Sequence, residues 1–460
     1  MATVGINFGS ATSGAGFDVA TTVSSILAVQ RTPETAWTSR TTQLKAQDAA
    51  LTSIGTALSA LTTSLSTLTS FDGALSAKSG ASSDPTTVAL TAAGSSARAG
   101  THAITVQRLA QTSSQYSSTV ASGDTLAGSL TLQVGGGAPA TIALDSSNNT
   151  LAGLSAAINA ANLGVNANVI TDTSGSRLSL VSATSGAAGG IAVTSSVTSL
   201  VASNTASTPL NFTVGQNGLD AQFTVDGVAL TNSSNSVSNA IPGVTVQLLG
   251  TSSVGAQVEI ANDTSTVTSA VKSFVTSYNA LVTAVKGQEG KDSTGAALPL
   301  YGSSVLSQIQ AQTSSALGTA SVSSGALKYL TQFGVTAGTD GTLSVNATAL
   351  AGTLSANFDN AASFFQGVGG FGQSLLTSLN GLGGSGTSGA VQSALAQNAS
   401  EETTLATNTS TLEARLATYQ TNLTATLNTA NQILQGIPQQ LNEINQIYAA
   451  ITGYGNNKGG

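Results

Sequence analysis

No cysteine occurs in this 460-residue sequence, histidine occurs once, and only 7% of the residues are charged. Without thiols there can be no disulfide, no cysteine nucleophile and no thiolate metal cluster. A chain exported unfolded would be suited by this lack, since no wrong disulfide can trap it. The one histidine, His102, has no second of its kind to complete a metal site or a relay. Catalysis draws on His, Cys, Asp, Glu or Lys with tuned acidity, and these are scarce here. The composition therefore points away from an enzyme and from a cofactor.

Basic residues are also few. Lys and Arg number 13 against 20 Asp and Glu, the net charge is −7, and no basic block exists. Nucleic acids and anionic membranes are recognised by clustered cations, so neither is expected as a partner. The first basic residue is Arg31 and no continuous apolar core follows Met1, so no cleaved secretory signal is expected. No apolar run reaches the roughly 18 residues that a membrane span needs.

What is present is a 40% hydrophobic content set among Ser, Thr, Ala, Gly and Asn. That suits a polymer subunit whose surface relies on neutral polar groups. The length implies roughly three or four domains.

The ends of the chain carry the sharpest pattern. Trp37, Leu44, Leu51, Leu58 and Leu65 recur every seven residues, with Ile54, Leu61 and Leu68 as a second row. This is a heptad seam with Arg40 and Gln47 intruding, and it predicts one helix from Pro33 to Ser70. Near the other end, Leu412, Tyr419, Ile433 and Ile447 form one row, with Thr426 and Gln440 as polar members. Leu416, Leu423, Ala430, Ile437, Ile444 and Ile451 form another, and Leu427, Leu434, Leu441 and Tyr448 a third. Three rows make a stripe broad enough to meet more than one helix. The heptad phase survives Pro438, which predicts a kink or an immediate restart. Neither stripe can stay in water alone, so an assembly interface is expected at Trp37, Leu44, Leu51, Ile54, Leu58, Leu61, Leu65, Leu68, Leu412, Leu416, Tyr419, Leu423, Leu427, Ile433, Leu434, Ile437, Leu441 and Ile444.

Between the ends, from about Ser79 to Ile260, short alternating runs are separated by Gly, Asn, Asp and Ser. Thr101–Val106, Gln222–Val225 and Val244–Leu248 read as strands, and Asp226-Gly227 as a hairpin turn. One helix is expected near Leu151–Ala161, capped by Asn149 or Thr150, and a linker at Val201–Pro209. Helices follow at Thr264–Lys286 behind an Asp263 cap, at Ser303–Leu317 and at Thr348–Phe365, then a Gly/Ser linker at Gly381–Gly389.

Other motifs read as scaffolding. Gly367–Gly372 spells G-x-G-x-x-G, but a helix precedes it where a dinucleotide site needs a strand. Ser269 and Lys272 spell S-x-x-K without companion motifs, and read as the exposed side of a helix. Asp172–Gly175 lacks the distal Glu of a calcium loop and reads as a turn. Trp37 reads as a packing anchor.

The blocks also resemble a family. Gly16-Phe-Asp-Val19, Ile26-Leu27 and Arg31-Thr-Pro33 resemble the start of the flagellar filament-cap family, hook-associated protein 2. Ala99–Gln111, Gly218–Gly227, Ile241–Thr245, Phe274–Leu281 and Phe333–Leu343 resemble its later blocks in order, and Thr150–Ala160 a motif shared among hook-associated proteins. The C-terminal Leu427–Ile451 segment departs from the family pattern.

The resemblance implies a ring of identical copies at the filament tip that retains exported flagellin and promotes its folding and insertion. It implies type III export, partners among flagellin and hook–filament junction proteins, a chaperone on the C-terminal helix, and no cofactor or catalytic residue. Alternatives are another axial flagellar protein, either flagellin or a junction protein, or a surface or phage adhesin. The expected fold is α+β and multidomain: long terminal coiled-coil helices forming a leg, a helical-bundle domain and inserted β-rich head domains. The expected division is an export and leg segment at 1–35, a coiled-coil helix plus strand at 36–110, and β-rich head domains at 111–203 and 204–262. A helical domain packing on the N-terminal helix follows at 263–380, then a linker at 381–390 and a C-terminal leg at 391–460.

Overall fold

In the computed structural model, residues 14–201, 207–384 and 388–452 are described. The expected linkers at 201–209 and 381–390, and the outer parts of both terminal segments, lie partly outside these residues. The helices in chain order are α1 (Val19–Gln30), α2 (Thr32–Thr69), α3 (Leu151–Ala160), α4 (Thr264–Lys286), α5 (Ser304–Gly318), α6 (Ala347–Ala356), α7 (Phe358–Gln366), α8 (Phe371–Leu382) and α9 (Ala390–Thr452). No helix among the described residues is long and apolar enough to cross a membrane.

Local chemistry sets the helix starts. Asp18 caps α1 by accepting from Thr21 N at 3.1 Å, and Thr150 caps α3 by accepting from Gly153 N at 3.0 Å. Asp263 caps α4, accepting from the backbone N–H groups of Ser265 and Thr266 at 3.0 Å each and from both their hydroxyls. Those hydroxyl and amide bonds hold its carboxyl down at about 2. Pro438 neither breaks nor restarts α9, which runs through it as one 63-residue helix. Proline costs a helix one N–H and crowds the preceding turn, yet the helix and its heptad phase continue on both sides of it. The helix expected at Thr348–Phe365 is divided at Asn357, between α6 and α7.

The chain forms two compact units. The first comprises Met1–Ser66, Lys272–Asn346 and Ser363–Gly460. Its aromatic centre gathers Phe274, Phe333, Phe364, Phe365 and Phe371, all buried, with Phe364 and Phe371 stacked at 5.0 Å. Asn279 of α4 accepts from Leu343 N at 2.7 Å and donates to Leu343 O at 2.8 Å, standing in for a missing strand beside the hairpin 335–345. A side-chain amide offers the same donor and acceptor pair as a peptide group.

The second unit comprises Thr67–Val271 and Ala347–Ala362, and is rich in antiparallel sheet. One core lies between a five-stranded sheet, ordered 78–82, 256–262, 100–108, 221–225, 228–232, and a three-stranded sheet of 236–241, 244–248 and 88–93. The Asp226-Gly227 turn joins Val225 to its partner Val228, with φ of 50° and 83° at its two central residues. The other core lies under strands 112–117, 129–134, 165–172, 175–185, 191–195 and 212–216, and is covered by α3.

This division differs from the expected one at three places. Strands 78–108, expected with the helical domain, share their core with 221–260, because their alternating faces pair with that sheet. Strand 207–209 pairs with 198–200, and Leu210 and Phe212 join the second core, so no domain boundary falls at 203/204. Residues 347–362, expected in the helical domain, group with the second unit, where Lys78 Nζ lies 6.0 Å from the Phe358 ring centroid.

Candidate assembly surface

The first unit is organised by an antiparallel pairing along α9. Arg40 grips Glu401 with two bonds, Nε to Oε1 at 2.7 Å and Nη2 to Oε2 at 2.9 Å. Asn398 Nδ2 donates to Asp48 Oδ1 at 2.8 Å, and Arg31 Nη2 meets Glu413 Oε2 at 2.7 Å. Phe17 N donates to Asn431 Oδ1 at 2.9 Å. As the N-terminal partner falls from 48 to 17, the α9 partner climbs from 398 to 431. The segment before α1, then α1, then α2 thus run in one line along α9, with a single break at Arg31.

The intruding Arg40 of the heptad seam now has a reason. Its guanidinium replaces an apolar knob with a two-pronged carboxylate contact, which holds the Glu401 carboxyl below its ordinary range and raises Arg40. At the break, closure from solvent and a hydrogen bond with Glu413 push the Glu34 carboxyl above its ordinary range, against the pull of Arg31.

Closer to the chain start, glycine is required. A Cβ on Gly16, whose φ is +64°, would lie 2.2 Å from Asn431 Oδ1. Only a bare Cα lets the backbone come near enough for Phe17 N to reach Asn431. Val23 and Leu27 of α1 are then buried with Leu416, and Leu412, Leu423 and Leu427 pack half-buried around them.

The expected interface residues therefore part company. Leu44, Leu51, Ile54, Leu58, Leu61, Leu65 and Leu68 have at most 1% of their surface exposed. They are core within one chain and cannot be contacts between copies, which corrects the expectation for them. Trp37 is half-buried, as are Leu434 and Ile437. Tyr419 (44%), Ile433 (64%), Leu441 (40%) and Ile444 (60%) stay exposed, and Ile447, Tyr448 and Ile451 continue the strip at 58% to 78%. Glu443 is the only charged residue from 416 to 452. Gly14 approaches α9 at Pro438, and the helix then runs about four more turns, roughly 20 Å.

The pairing of these polar groups across the helices was not legible in the sequence. Isolated charges 361 positions apart carry no local signal. The other motifs fall in plain settings. His102 Nδ1 lies 2.7 Å from Asp226 Oδ2, Ser269 and Lys272 are exposed on α4, and Asp172 closes a hairpin by accepting from Ser174 N at 2.7 Å.

Comparison with known proteins agrees with this architecture. The family model described as flagellar hook-associated protein 2 C-terminus matches residues 218–450, and that described as its N-terminus matches 15–113. The B-type flagellar hook-associated protein 2 of Pseudomonas aeruginosa is 34% identical over 302 residues, covering 59% of this chain and 62% of that protein. Flagellar hook-associated protein 2 of Escherichia coli K12 is 30% identical over 312 residues, covering 62% and 65% respectively. The chain thus spans somewhat less than two thirds of the length of these relatives. The crystal structure of the D1-D2-D3 domains of the flagellar cap protein FliD from Escherichia coli superimposes with a TM-score of 0.59 at 30% identity, over 76% of this chain and 99% of that one. With a family model matched over more than half of its length, the chain belongs to the flagellar hook-associated protein 2 family.

Proposed function

We propose that this protein caps the distal end of a bacterial flagellar filament as a ring of identical copies. In that place it retains exported flagellin and gives it an enclosed site in which to fold and insert. It acts by assembly and not by catalysis. The observation that carries the reading is the exposed apolar strip on the last turns of α9, in a chain of this family. A strip of that kind on a single copy is an interface awaiting its partner.

The same strip accounts for the expected partners. Copies of this chain, flagellin and the hook–filament junction proteins are the partners at the tip. Before export, a cytoplasmic chaperone on α9 would keep the strip from self-association. Export proceeds through the flagellar type III route.

The test is a strain lacking this protein. It should release unpolymerised flagellin, and the full chain should restore filaments. A chain with Ile444, Ile447 and Ile451 changed to Ser should be secreted and folded yet fail to restore them. Normal filaments in the deletion strain would overturn the reading and favour an adhesin.

A further inference from the structure

Helix α5 has a concavity on each side. Ile309, Gln310, Thr313 and Ser314 face a cleft of about 230 Å³ whose other wall is α4, with Tyr278, Val282 and Val285. At 100° per residue, Ala311, Gln312, Ser315 and Ala316 point the other way, and they line a second groove with Phe371, Ser374 and Ser378 of α8. Beyond that second groove the chain makes a knob. Val322 is 79% exposed and Val368 is 98% exposed.

The knob is a built feature. Val322 N donates to Gly369 O at 3.1 Å, which ties the two loops together. A Cβ on Gly369 would lie 2.5 Å from Val322 Cγ2, so the G-x-G-x-x-G segment serves to let these loops close on each other. The result is a pair of branched apolar side chains held outward on one side of the unit. A cleft with an apolar floor lies on the opposite face of α5.

Charge matches as well. Glu289 and Asp340 flank the cleft against a single ammonium, Lys286, and Glu289 accepts a hydrogen bond from Gln310 across its mouth. Around the knob, in residues 319–334 and 363–374, Lys328 is the only charged side chain. Complementary surfaces on opposite sides of one subunit are what a head-to-tail ring requires, whereas a two-fold dimer uses one self-complementary patch.

We propose that Val322 and Val368 of one copy enter the α4–α5 cleft of the next, head to tail, as a contact that closes the ring. This rests on the ring reading above and names its interface.

The natural chain is free of cysteine, which makes cross-linking clean. Full-length protein carrying both Ser314→Cys and Val368→Cys should give a ladder of covalent multimers on oxidation. An equimolar mixture of the two single variants should stop at dimers, and each alone should stay monomeric. Val368→Asp should weaken self-association at least tenfold in sedimentation without altering the thermal melt. Val254→Asp, an exposed valine of the second unit, should change neither.

Dimers from Val368→Cys alone would overturn the head-to-tail contact. So would an oligomer that persists with no ladder and is indifferent to Val368→Asp, and in that case the ring itself stands. A natural chain that stays monomeric at high concentration would remove the ring reading and this contact together.

Discussion

The two apolar stripes near the chain ends share a seven-residue period and meet opposite surroundings. Leu44 to Leu65 of α2 vanish into the first unit, while Ile433 to Ile451 of α9 stay largely in water. Period decides which face of a helix is apolar. It does not decide what covers that face. Along α2 the cover comes from the same chain, with α9 held in register by Arg40–Glu401 and Asp48–Asn398. Beyond Pro438 no such ties are seen among the described residues. The first stripe is therefore stability, and the second is apolar surface left in water, the surface on which the proposed assembly rests.

The contrast can be broken most forcefully at Leu58, which has no exposed surface. Leu58→Ala should cost about 2–5 kcal/mol, through lost burial and the cavity left behind, in denaturant unfolding of the first unit. An effect under about 0.5 kcal/mol would mean that the seam is not core.

Next in size is Gly16→Ala. Its left-handed backbone and the approach to Asn431 should make the change cost roughly 1–3 kcal/mol locally. The loss should appear as faster hydrogen exchange across α1, with the aromatic centre of the unit unaffected. Unchanged protection of α1 would show that its docking does not depend on that approach.

Asp263→Ala should cost about 1 kcal/mol at neutral pH, as the loss of a helix cap. Here the sign is set by a carboxyl whose folded value, about 2, lies below its ordinary 3.8. Its contribution is complete above about pH 4 and is lost as pH falls through about 2. The gap between variant and natural protein should therefore close over that range. A gap that stays constant to pH 2 would show that the carboxylate charge is not what caps α4.

Smallest in stability is Ile444→Ser, on the exposed stripe, which should shift unfolding by no more than about 0.5 kcal/mol. It should still weaken association of the full chain in sedimentation. A large loss of stability with intact association would invert the comparison.

Much of this architecture is legible in the residues. The heptads predict α2 and α9, the cap at Asp263 predicts the start of α4, and the helix expected at Ser303–Leu317 is α5. Asp226-Gly227 predicts a hairpin because few other dipeptides tolerate two positive φ angles in succession. These signals are local, written within a few residues. The grouping of strands 78–108 with 221–260 is not local: a strand declares its two faces but not its neighbours. A linker-like composition near residue 204 likewise could not reveal that the strands on its two sides pair with each other.

The sequence by itself determined the periods, the caps, the turn at Asp226-Gly227 and the lack of groups for thiol or histidine chemistry. Those follow from side-chain volume, backbone freedom and ionisable content, which each residue carries wherever it sits. Only the tertiary structure decided which stripe is buried, that Arg40 at a seam position is matched by Glu401, and that Gly16 lies against Asn431. Burial and pairing join residues hundreds of positions apart, and their energy exists only once the chain has brought them within a few ångströms.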